Sequence, residues 1–163
     1  MAELILFLVG AFIFGLARYA YLTNQQNSRF YIPKPLSYYP EYDQDEFGEE
    51  LIRLINEYRV SLNIGELVEN EHLSDVSYSH SMFMEQRGVV SHDFFSSREA
   101  EFPERLLGEV VAYNLHEPKS VLNSWKNSPS HNKAILDIDY KFIGVSHALD
   151  QNGKKYVCAL LLN

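Results

Sequence analysis

The stretch from Leu4 to Ala17, LILFLVGAFIFGLA, contains only apolar residues and glycine. A helix built from it would be apolar on every side, which suits lipid or a deep core and not the surface of a domain. Arg18 follows, then Tyr19, Ala20, Tyr21 and Leu22. With Arg18 snorkelling, Leu4–Leu22 supplies 19 residues. At ~1.5 Å per residue, that length just crosses a hydrocarbon core of ~30 Å. Tyr19 and Tyr21 suit the interfacial belt. Residues 1–22 are therefore expected to be a single-pass membrane anchor. A cleaved signal peptide is the main rival. Against it, the first residues carry Glu3 and no Lys or Arg, and no small-x-small site follows. A buried helix of the soluble domain is the third reading.

Residues 23–43, TNQQNSRFYIPKPLSYYPEYD, hold three prolines, polar residues and scattered tyrosines. They read as an extended linker. Arg18, Arg29 and Lys34 all lie C-terminal to the apolar run, so the positive-inside rule places the remainder in the cytoplasm. Residues 1–43 carry three basic and three acidic groups, so the whole net charge of −8 (14 Lys and Arg against 22 Asp and Glu) falls in residues 44–163. Such an acidic domain is a poor partner for a phosphate backbone, and no nucleic-acid binding is expected. The single cysteine, Cys158, excludes an intramolecular disulfide framework. A buried, inert thiol is its simplest role, since it falls in an apolar strand.

From Asp45 the pattern turns helical. Phe47, Leu51, Leu54, Ile55, Tyr58 and Leu62 recur at spacings of three and four, with Gly65 as the expected stop. A second helix is expected over roughly Glu69–Arg87, with Leu73, Val76, His80, Phe83 and Met84 on one face and Gly88 at its end. Val89–Phe95 reads as a short buried strand or an ordered loop. Phe102–Leu107 reads as a turn of helix, and Gly108–Tyr113 as another short element. Pro118 suits the first position of a helix that carries Val121, Leu122 and Trp125. Ser128-Pro129 starts a further helix, with Ser128 as its cap. Phe142–Leu149 and Lys155–Leu162 read as strands, with Asn152-Gly153 between them. Helices followed by an antiparallel hairpin make an α+β domain.

Three stretches carry a resemblance. Asn56-Glu57-Tyr58-Arg59 falls on the first helix, and Val90-Ser91-His92 follows the second. Gly108-Glu109 precedes Trp125 and the run Asn127-Ser128-Pro129-Ser130-His131-Asn132-Lys133-Ala134-Ile135-Leu136. In this order and spacing they resemble the CAP superfamily, which takes in cysteine-rich secretory proteins, antigen 5, pathogenesis-related proteins and bacterial envelope proteins. The likeness runs from about Phe47 to Leu162 and is nearest to the short bacterial branch. It implies a three-layer α-β-α sandwich over residues 44–163. It also implies a cleft lined by two histidines, which fall on His92 and His131, and by a glutamate, which falls on Glu109. The family's further acidic position, shortly after the tryptophan helix, has no counterpart here: Lys126, Asn127 and Ser128 occupy that stretch, and Val110 stands where the family usually has asparagine after Glu109.

Two neutral imidazoles and a carboxylate form a competent donor set for a divalent metal such as zinc, with an open position for water. Without metal the same groups can shuttle protons. His92, Glu109 and His131 are thus both the candidate metal ligands and the candidate catalytic residues. Glu109 has a plainer alternative, an ion pair with an arginine such as Arg105. His80 is expected to be a hydrogen-bonded core or cleft-edge residue, and His72, His116 and His147 structural or exposed. The resulting expectation is a membrane-anchored cell-envelope protein that binds a lipid, glycan or protein ligand, leaning towards binding over turnover. A metal-dependent hydrolase and an adhesive protein with a vestigial cleft are the alternatives. The resemblance implies a location outside the cytoplasmic membrane, against the charge rule. It carries more weight than a rule resting on three charges.

Overall fold

The structure, a computed structural model, describes residues 44–163. The expected anchor over 1–22 and linker over 23–43 lie outside the described residues. Among the described residues, no helix is long and apolar enough to cross a membrane.

The chain opens with helix α1 (Gln44–Ser61), followed by β1 (Val68–Glu69), α2 (Glu71–Arg87) and the short α3 (Phe95–Glu99). Then come β2 (Leu107–Tyr113), α4 (Pro118–Asn127), α5 (Pro129–Ile135), β3 (Phe142–Leu149) and β4 (Lys155–Leu162). The four strands form one sheet in the order β1-β3-β4-β2. β1 runs parallel to β3, and the other pairings are antiparallel. β2 therefore lies at an edge, and β4 is buried along its whole length.

Strand alternation sorts the sheet into two faces. Val110, Ala112, Ile143, Val145, Val157, Ala159 and Leu161 join a core with Phe47, Leu51, Ile52 and Ile55 of α1, Val121, Leu122 and Trp125 of α4, and Ile135 of α5. The opposite face receives α2, which packs along β3 and β4. Helices thus cover both faces of the sheet, as an α+β sandwich requires.

α2 comes unusually near the sheet because small residues line the contact. A Cβ on Gly144 would overlap the backbone at Ser74 and Leu73. Ser77 Oγ donates to Gly144 O at 2.9 Å, Ser81 Oγ to Ser146 O at 3.2 Å, and Ser146 Oγ back to Ser74 O at 2.9 Å. The helix and strand are therefore stitched by hydroxyls that satisfy carbonyls at short range. The apolar stripe Leu73, Val76, Phe83 and Met84 is buried as expected, and Ser77 and Ser81 are buried with it.

Several local readings change. The first helix ends four residues before Gly65, where Asn63 takes a left-handed φ of 59° and Ile64 N–H bonds Arg59 O at 3.0 Å. Asparagine tolerates that conformation, so it replaces glycine as the stop. Val89 and Val90 are exposed, at 57% and 39%, so this segment is a loop and not a buried strand. Ser128 occupies the N-cap of α5 but makes no capping bond with its side chain; its Oγ lies 3.4 Å from Ser130 Oγ. The hairpin connection runs through a turn in which the Asp150 carboxylate accepts from the N–H groups of Asn152 (2.8 Å) and Lys154 (2.9 Å). Gly153 supplies the φ of 77° there.

Because Gly144 has no room for a side chain, Gly144→Ala should force α2 away from β3 and lower unfolding stability by about 2 kcal/mol. Chemical denaturation of the two proteins measures this. An unchanged midpoint would show that the close approach carries no weight.

Candidate functional site

The site gathers around edge strand β2. α2 carries His80, and its end is fixed by Gly88 (φ 66°), whose N–H reaches Glu85 O and Met84 O. The chain then loops through Ser91, His92 and Asp93, and Phe94 at φ 59° turns it into α3, which carries Arg98. β2 carries Glu109, and α5 carries His131.

Glu109 is the centre. Its side chain is 1% exposed. Arg98 Nη2 bridges both carboxylate oxygens, at 2.9 Å to Oε1 and 2.6 Å to Oε2. His92 Nδ1 lies 2.8 Å from Oε1. Since an ionised carboxylate only accepts, His92 must carry a proton on Nδ1 and donate it, which leaves Nε2 as the ring nitrogen outside the pair. The His92 side chain is 53% exposed, so this nitrogen belongs to the solvent side of the cluster. The His131 ring lies 6.4 Å from it, centroid to centroid and near edge-on. Burial, and secondarily His92 itself, hold His131 below the ordinary imidazole range. It is therefore neutral at pH 7.

His80 lies beneath. Its Nε2 is 2.8 Å from Ser91 O, so Nε2 carries the proton and donates. The approach of Arg98 Nη2 to the same nitrogen at 3.4 Å is then a contact of two donors and not a hydrogen bond. Burial holds His80 below its usual range, more than the nearby Glu109 raises it. Cys158 Sγ is 3.9 Å from Glu109 Oε2. Burial, then the carboxylate, push its thiol well up, so it remains protonated and unreactive.

α5 is held by the motif on α1. Tyr58 Oη donates to Asn132 Oδ1 at 3.1 Å. Arg59, 1% exposed, donates to Gly65 O at 2.7 Å, Ile135 O at 2.8 Å and Asp137 O at 2.9 Å. A cation there also complements the carbonyl end of α5. Trp125 Nε1 donates to Val111 O at 2.9 Å, tying α4 to β2. Of the stretch on α1 that carries the resemblance, Tyr58 and Arg59 thus hold α5, which bears His131.

The structure brings His92 and Glu109 into direct contact and places His131 beside His92. Arg98 was missed by sequence reasoning. Arg105, the partner expected for Glu109, instead lies over the Phe142 ring, 5.3 Å from its centroid. Lys126, near the unmatched acidic position, lies over Tyr58, 4.1 Å from the ring centroid. His80 is buried and hydrogen-bonded, as its place on the apolar stripe suggested. His147 is buried, with its ring 4.7 Å from that of Phe47, and His72 and His116 are exposed. Among the described residues, no three His, Cys, Asp or Glu side chains stand where they could hold a metal ion. The arrangement does not fit a three-ligand metal centre: the one buried carboxylate already neutralises a guanidinium, and a divalent cation there would face Arg98.

Comparison with known proteins agrees with this frame. The sequence pattern of the cysteine-rich secretory protein (CAP) family matches residues 52–160. The chain belongs to that family. An uncharacterized membrane protein of Bacillus subtilis is 28% identical over 106 residues, covering 60% of this chain and 30% of its own length. The chain thus spans less than a third of that relative. An uncharacterized protein of Borreliella burgdorferi is 27% identical over 115 residues, covering 67% of this chain and 74% of its own. Two solved structures share the fold. One is an outer surface protein of Borrelia burgdorferi (TM-score 0.69, 24% identity, 75% of this chain and 96% of that one). The other is an extracellular SCP-domain protein of Bacillus anthracis (TM-score 0.65, 20% identity, 82% and 45%).

Two outcomes follow for stability. Arg98→Met leaves the Glu109 charge buried and alone and should cost about 3–5 kcal/mol. Adding Glu109→Gln should return part of that, a coupling that a double-mutant cycle in urea reads. His80, with its folded pKa below the unfolded one, binds its proton more readily in the unfolded chain. It contributes full stability above the ordinary imidazole value of ~6.5 and loses it as pH falls. Urea midpoints at pH 7 and pH 5 should therefore differ less in His80→Gln than in the native chain, with His131 supplying the remaining acid sensitivity.

Proposed function

We propose that this CAP-family chain is a membrane-tethered binding module of the cell envelope, its domain on the outer side and its ligand held by His92 and His131. The observation that carries the reading is the buried Arg98–Glu109 pair, which holds the His92 ring by Nδ1 and leaves its Nε2 outside the pair, beside the ring of His131. Two adjacent imidazoles can exchange hydrogen bonds with a polar ligand, such as glycan hydroxyls, lipid headgroup hydroxyls or peptide N–H groups. The location is supported by relatives that are a membrane protein, an outer surface protein and an extracellular protein, and by the apolar run at Leu4–Ala17.

Binding has better support than hydrolysis. A metal-dependent hydrolase built on His92, Glu109 and His131 loses its carboxylate ligand to Arg98. The nearby thiol of Cys158 is buried and protonated, and Ser91 Oγ is engaged by Asp93 N–H at 3.3 Å.

The test uses the full chain in detergent micelles with insoluble peptidoglycan and, separately, beads carrying covalently coupled phosphatidylcholine as probes. The native chain should co-sediment with one of them, and His92→Ala/His131→Ala should weaken retention by about tenfold or more at an unchanged melting temperature. Equal retention would move the function away from these histidines. Protease added to intact cells should digest the domain; resistance until lysis would place it inside.

A further inference from the structure

The two carbonyls that flank His92 in the chain are both gripped from beneath by buried side chains. His80 Nε2 donates to Ser91 O at 2.8 Å, and Arg98 Nη1 donates to Asp93 O at 2.8 Å. The imidazole between them is held by Glu109, which Arg98 also holds. The loop is thus pinned at residues 91, 92 and 93 in succession, although His92, Asp93 and Phe94 are exposed. We infer that His80 and Arg98 form a two-point clamp that positions His92, so that its free Nε2 faces a ligand in one fixed direction.

Both clamp residues carry a cost that simple packing would not require. His80 Nδ1 and Arg98 Nε are buried with no hydrogen-bond partner. Leucine or methionine would fill either space without an orphaned polar atom. What the apolar residue cannot supply is the second nitrogen, which reaches the loop. His80 stacks within 5.9 Å of Phe83, and Phe83 meets Phe94 edge-on at 5.3 Å, so the aromatic packing leads to the same loop. The strained φ of 59° at Phe94 is then held by the clamp on one side and this ring contact on the other. His80 and Arg98 act through His92 and are positioning residues.

The inference rests on the reading of His92 as a ligand-holding group, and the experiment separates the two. The full chain, labelled with ¹⁵N and held in detergent micelles, is followed by NMR. In the native protein, residues 91–94 should show order parameters near the rigid-backbone value of about 0.85, and His92 should show a slowly exchanging Nδ1 proton. His80→Gln, which restores an N–H near the Nε2 position, should retain both signatures. His80→Leu, which keeps apolar bulk but no donor, should lose the Nδ1 proton signal and raise amide exchange over residues 91–94 by about tenfold. If His80→Leu does not fold, Arg98→Lys keeps a charge opposite Glu109 while shortening the reach to Asp93 O, and the same loosening is expected. Order parameters below about 0.6 in the native loop, or a fixed His92 in a folded His80→Leu, would overturn the clamp. A rigid native loop with no effect of His92→Ala on retention by peptidoglycan or by phosphatidylcholine beads would retire the binding role alone and leave the clamp standing.

Discussion

A single carboxylate buried at the edge of the sheet governs the rest of the site. Glu109 cannot be ionised out of water without compensation, and Arg98 supplies it from a helix of only five residues. Such a pair adds little net stability, since desolvation of both ions offsets most of their attraction. It fixes geometry instead. The guanidinium needs acceptors for its remaining protons and finds Asp93 O, so satisfying the charge also orders the loop. The carboxylate has lone pairs left over and one accepts from His92 Nδ1, so satisfying the anion also orients the imidazole. Loop order and imidazole orientation are both consequences of one burial problem solved by hydrogen bonds.

The scaffold brings the two histidines together from opposite layers. His92 comes from the α2 side of the sheet. His131 comes from α5, which belongs to the core on the other face. They meet because β2 is an edge strand, and side chains from both layers can reach around it. Each layer is then tied down by its own means. On one face, Gly144 and the serines of α2 allow a near approach of helix to strand. On the other, Arg59 collects three carbonyls from separate segments and Tyr58 holds Asn132 beside His131. The polar hub on α1 lies far from Glu109 in the chain, yet the separation of the two imidazole rings depends on it.

What was legible in the sequence follows the range of the interactions involved. β3 and β4 were readable to the residue, because each is a largely apolar run of strand length and the turn residues Asn152-Gly153 lie between them. α2 was readable through its stripe and Gly88. β1 was not, because two residues pairing with β3 leave no periodic trace. The pairing of His92 with Glu109 rested on family likeness, since a separation of 17 residues carries no local signal. Arg105, four residues from Glu109, was the natural guess for its partner. Proximity in sequence is a poor guide where the chain passes from turns into a strand. The useful clue to Arg98 was its place: a basic residue one turn beyond the His92 loop, on a segment too short to be stable by itself.

The charge balance of the cluster also explains how this chain differs from a site with a second acid. With His80 and His131 neutral through burial, the full charges in the interior are the one carboxylate and the one guanidinium, which cancel. At the family's further acidic position the chain has Lys126–Ser128, which adds no negative charge to that pair. Lys126 instead lies over Tyr58, and the balance closes within the protein. Arg98 thus supplies the positive charge that the buried carboxylate requires, from the buried side and with fixed directionality.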